Sequence, residues 1–185
     1  MNSFSRRSML RGLTALTAAS IAGCTVTTNG SVTTITLNVK AIRTYGVAGL
    51  NAVSTVMSIA AVASAVGAPA AAVIAAADTA LAGALNAFAA AAGNAVTITY
   101  DSTSFKTQVD SLLSALESVA SDLSAAITGA GDAIPASARD TVSVVLAALS
   151  SVVSIFQGLL GMVSVDAGRP SMPEAQALRT LGVTS

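Results

Sequence analysis

Few side chains in this sequence are of a type and spacing that could do chemistry. The 185 residues include no histidine and one cysteine, Cys24. Without histidine no Ser-His-Asp arrangement can form. Scattered carboxylates with no second thiol do not make a metal-ligand cluster. Asp110 and Glu117 stand seven residues apart, near one face of a helix. Paired carboxylates can divide acid and base work, but on a strongly amphipathic segment they read as a solvated face. Asp78 is the only charge between Tyr45 and Tyr100. A lone acid in lipid would suit a proton or ion path; in water it would point to solvent or pair with a base, which is the expectation here. Thr103-Ser104-Phe105-Lys106 places a hydroxyl three residues before a lysine, without the partner motifs of an acylation site, and reads as a helix start. Gly129-Ala130-Gly131 lacks the third glycine of a dinucleotide loop, since Ile134 stands there, and reads as a helix stop. No catalytic, cofactor-binding or metal-binding residue is expected, and the chain is expected not to be an enzyme.

Charged residues make up 10% of the chain, nine basic and nine acidic, against about 25% in ordinary globular proteins. So little clustered positive charge argues against nucleic acid as a partner. The apolar excess, with mean hydropathy +0.73, points instead to buried helices or to a membrane.

The elements follow from patterning. Thr25 to Val39 has a β composition, with the turn signal Asn29-Gly30 and with Ile35, Leu37 and Val39 on one face. A flexible tether over Thr25–Ser31 is the alternative. Ala95 to Tyr100 reads as a second strand, with Val96, Ile98 and Tyr100 together. Four helices are predicted: Tyr45–Val66, ending at Gly67-Ala68-Pro69; the alanine-rich Pro69–Ala92; the amphipathic Ser104–Thr128; and Ser137–Val165. A short helix over Pro173–Leu181 is predicted in the tail. The fold class is therefore mainly α, an alanine-rich bundle of about four helices with a small β-hairpin or sheet near the N-terminus. Positions 24–185 form one domain, including a Thr-rich β segment (24–39) and a Pro-containing tail (167–185).

The N-terminus has the layout of an export signal. Three arginines and no acid precede a mildly apolar, charge-free stretch that ends in small residues. Ser5-Arg6-Arg7-Ser8-Met9-Leu10-Arg11 resembles the twin-arginine (Tat) motif, with Met9 where that motif usually has Phe and Arg11 where it often has Lys. A general secretory signal is the alternative. Ile21-Ala22-Gly23-Cys24 resembles a bacterial lipobox, with Ile for the commoner Leu. The resemblance implies an export signal over 1–23 carried by Arg6 and Arg7. It also implies a diacylglycerol thioether on Cys24, which becomes the first residue of the mature chain. A small buried cysteine is the other reading. Thr25, not Asp, follows the cysteine, which implies an outer membrane where the cell has one. Cleavage there leaves 162 residues with net charge −3.

These features imply an exported protein of the cell envelope, held to the membrane by its lipid and facing the periplasm or cell exterior. Its role is structural or interactional, with a second copy or another protein as partner. A second reading stays open. The run Tyr45–Tyr100 and the 25 uncharged residues between Asp140 and Asp166 are long enough to cross a bilayer. A self-associating, bilayer-perturbing protein, holin- or spanin-like in hydropathy alone, would use them, with Ser137–Val165 as the foremost span. Alanine and serine add little insertion energy, which favours the bundle in water.

Overall fold

The structure is a computed structural model that describes residues 24–29, 32–100, 103–161 and 172–183. Arg6, Arg7 and the rest of the signal lie outside the described residues, as do Gly30, Asp101 and Ser102. Strands β1 (Cys24–Asn29) and β2 (Val32–Asn38) form an antiparallel hairpin in which Asn29 pairs with Val32 and Cys24 with Leu37. A third strand, β3 (Thr97–Thr99), pairs antiparallel with the far end of β2, Leu37 opposite Ile98, so the sheet order is β1-β2-β3. The Thr-rich segment over residues 24–29 is therefore a strand and not a tether.

Helix α1 (Val39–Ser58) begins six residues before the predicted Tyr45. Asn38 ends the strand and caps the helix: its Oδ1 accepts the Ala41 N–H at 3.2 Å, a role for which Asn is well suited. The predicted first helix does not continue to Val66. It stops at Ile59, whose backbone is extended (φ −76°, ψ 105°). No Gly or Pro marks this break; Ser58 Oγ instead donates to the Thr55 carbonyl at 2.8 Å, drawing on a main-chain acceptor of the last turn. Helix α2 (Ala60–Ala92) then runs back along α1. The predicted stop at Gly67-Ala68-Pro69 is present as a kink inside α2. Gly67 has φ 75°, which glycine adopts freely, and Pro69 sits in the first turn beyond it.

Helix α3 (Thr103–Ala130) occupies the predicted segment. Its stripe of Val109, Leu112, Leu116, Val119 and Leu123 is buried, at most 1% exposed. A 3₁₀ turn (Gly131–Ala133) leads through Pro135 into α4 (Ala136–Leu159). This helix ends before the predicted Val165, because the chain leaves it through Leu160 and Gly161, which has φ 67°. The short α5 (Glu174–Thr180) follows Pro173, close to the tail helix that the sequence predicts.

The four long helices pack up-down-up-down, with five helices in all among the described residues. Packing of α1 against its neighbours depends on two glycines. A Cβ on Gly46 would lie 2.8 Å from Leu85 Cδ1; one on Gly49 would lie 2.6 Å from Leu81 Cδ2 and collide with Leu116. Leucines of α2 and α3 thus fill the space that these two absent side chains leave, giving the close density of protein interiors. Tyr45 and Phe156 meet in the core, centroids 5.5 Å apart and tilted by 45°, an arrangement favoured by the ring quadrupoles.

Candidate functional site

The polar side chains sort into contacts between elements. Tyr100 follows β3; its Oη donates to Asp110 Oδ1 of α3 at 2.5 Å. Lys106 Nζ donates to Asp110 Oδ2 at 2.6 Å and to Tyr100 Oη at 3.2 Å, and lies 5.0 Å from the Tyr100 ring centroid. Burial and the bond to Asp110 raise the Tyr100 pKa above its ordinary value of 10.0. The bonds to Asp110 and then to Tyr100 raise that of Lys106 above 10.5. Both shifts move away from neutrality, the opposite of what a lysine or tyrosine base working near pH 7 requires. The cluster ties the sheet to α3.

Asp110 and Glu117, neighbours on one helix face in the sequence, therefore do not act together. Glu117 is half-buried and accepts from Gln157 Nε2 of α4 at 2.6 Å. The solvated face read from the sequence is thus a pair of separate inter-element contacts. Three more bonds secure the C-terminal segment. Tyr45 Oη donates to Glu174 Oε1 at 2.8 Å, Asn51 Nδ2 to the Leu181 carbonyl at 2.9 Å, and the Met172 N–H to Ser151 Oγ at 3.1 Å. Sequence reasoning passed over Tyr45 and Ser151, and placed Gln157 on a polar face of its helix without a partner. The available signal was a polar atom standing within an apolar helical stripe.

Asp78 is partly exposed on α2. It forms no ion pair among the described residues, and its Oδ1 is shielded from water without a hydrogen-bond partner. Its helical neighbours Ile74 and Leu81 are buried against the core, which draws Asp78 to the edge of that face. Among the described residues no group of three His, Cys, Asp or Glu could hold a metal.

Cys24 is the first residue of β1 and stands in the sheet row that continues through Leu37 to Ile98. That row adjoins the start of α1, where the Val39 N–H donates to the Val96 carbonyl at 3.0 Å. The sequence pattern groups Val96 with Ile98 and Tyr100. Ile98 and Tyr100 are buried, but Val96 is 75% exposed. It precedes the three-residue strand, beyond the end of the bundle, where no core covers it. Lys40 and Arg43 of α1 are exposed at this same end, with no ion pair among the described residues.

No protein-family model matches the chain, and neither do curated proteins nor solved structures.

Proposed function

We propose that this chain is an exported, lipid-anchored protein of the cell envelope that performs no catalysis and acts by interaction, facing the periplasm or cell exterior. The reading rests on the resemblance of residues 5–11 to a Tat motif and of residues 21–24 to a lipobox. One structural observation supports it: Cys24 pairs with Leu37 at one end of the sheet, beside the start of α1, so a lipid on its sulfur would hold that end of the molecule to the membrane. The sulfur would carry the diacylglycerol thioether, and Arg6 and Arg7 would direct export. The polar clusters agree with a non-catalytic role, since each joins one element to another.

Metabolic labelling with palmitate tests the anchor. The wild-type chain is expected to take up label and the Cys24→Ser variant to take up none; equal labelling of both, or labelling of neither, contradicts the reading.

A membrane-embedded, self-associating protein is the second reading. The observation in its favour is α2, whose most apolar window has mean hydropathy 1.9 and is only 11% buried. The corresponding window of α4, the foremost span by sequence, is 44% buried and belongs more to the core. Alkaline carbonate extraction of a chain that begins after Cys24 separates the two: release supports the lipid-anchored bundle, and retention the embedded protein.

A further inference from the structure

The end of the molecule that carries Cys24 has a composition of its own. An open groove of about 610 Å³ lies there between the first turns of α1 and the chain that enters β3. Lys40, Arg43, Val47 and Val96 line it, and no acidic residue among the described ones does. Both cations are exposed, Val96 is 75% exposed and Val47 38%. Val26, two residues from Cys24, is 52% exposed. Glu174 lines the adjoining groove that Lys40 also borders, and its carboxylate already accepts from Tyr45. Among the described residues, charge of the other sign collects at the far end of the bundle, where Asp132 and Asp140 are exposed and Arg139 pairs with Asp132.

We propose that the Lys40–Arg43–Val96 end is a docking surface for the anionic phospholipid headgroups of a membrane. Cations attract a negative leaflet, exposed valines enter the headgroup boundary, and the acidic far end points away. The orientation rests on the lipid-anchor reading: because Cys24 is already in a strand, no spacer separates a lipid on its sulfur from the sheet. At about 3.3 Å per strand residue, the start of α1 is then held in the headgroup layer. The attraction itself needs no acyl chain and can be measured without one.

The test uses the full chain with Cys24→Ser, titrated with vesicles of phosphatidylglycerol and, separately, of phosphatidylcholine. Binding is expected for the anionic vesicles, falling as salt shortens the screening length to a few ångströms. The exposed pair Lys40→Gln/Arg43→Gln is expected to weaken that binding on the order of tenfold, whereas Arg139→Gln at the far end leaves it within about twofold. The signal arginines are common to every variant, so the difference isolates this face. Amine-reactive labelling of Lys40 gives a second readout, with anionic vesicles expected to protect it. Equal binding by the double variant, or Lys40 labelled equally with and without vesicles, overturns the proposal. Failure of the anionic vesicles to bind also overturns it and leaves an acidic protein as the partner to seek. Palmitate labelling reports on the anchor independently: a wild-type chain without label that still needs Lys40 and Arg43 for vesicle binding removes the anchor and keeps the surface.

Discussion

Helices α2 and α4 look alike by hydropathy and behave differently in the bundle. Their most apolar windows average 1.9 and 2.0, yet 11% of one is buried and 44% of the other. The difference is side-chain size. Helix α4 places Val145, Leu149, Val152 and Phe156 in the core. Helix α2 buries Val62 before its kink and, beyond it, a narrow line of Ile74, Leu81 and Phe88 among alanines, which bury little area each. Stabilisation follows apolar area removed from water, about 25 cal/mol per Å², so α4 holds the core by bulk. Helix α2 contributes by lying close to the glycines of α1.

That contrast can be broken at its strongest point first. Phe156→Ala on α4 removes a fully buried ring that packs on Tyr45 and is expected to cost about 3–5 kcal/mol, measured by urea unfolding. A loss under about 1 kcal/mol would show that α4 is not a core helix. Gly49→Ala tests the close approach of α1 to α2 and α3. Its new methyl meets Leu81 and Leu116, and overpacking of this kind costs about 1–3 kcal/mol. A neutral or stabilising result would mean that the leucines yield freely.

The Tyr100–Lys106–Asp110 cluster sharpens the comparison from the polar side. Both raised groups, Tyr100 and Lys106, favour the folded state while protonated. Their contribution is complete below pH 10 and is lost as the pH rises through the raised values, because the unfolded chain releases its protons first. Thermal unfolding is expected to show a falling midpoint above pH 10 that Lys106→Met makes shallower; an unchanged slope in that variant would remove the cluster from the account. The smallest effect belongs to α2. Val73 is 53% exposed, so Val73→Ala is expected to stay within about 0.5 kcal/mol of the parent. A larger loss would show that something covers this face in solution.

The legible parts of the fold were those with strong periodicity or a glycine or proline at the boundary. Helix α3 advertises itself through large residues at helical spacing, the hairpin through its threonine-rich strands and turn signal, and the Gly67 kink through Gly67 and Pro69. The break at Ile59 was not legible, because a serine hydroxyl and a local backbone change carry no compositional mark. The early start of α1 turned on Asn38, which fits a strand end and a helix cap equally well. Asp110 and Glu117 look like one face in one dimension; their partners Tyr100 and Gln157 come from different elements, which only packing brings near. The same holds for the basic end. Residues 38–47 and 93–96 are distant in sequence, and the bond between Val39 and Val96 places them together. Cys24 stood out through resemblance to a lipobox, and nothing in the bundle's own pattern would have singled it out.

The most direct test of the lipid-anchor reading is the intact mass and N-terminal sequence of the product isolated from cell envelopes. The expected product begins at Cys24 and carries a diacylglycerol thioether on its sulfur. A product that retains Met1, or that carries an unmodified thiol at Cys24, contradicts it.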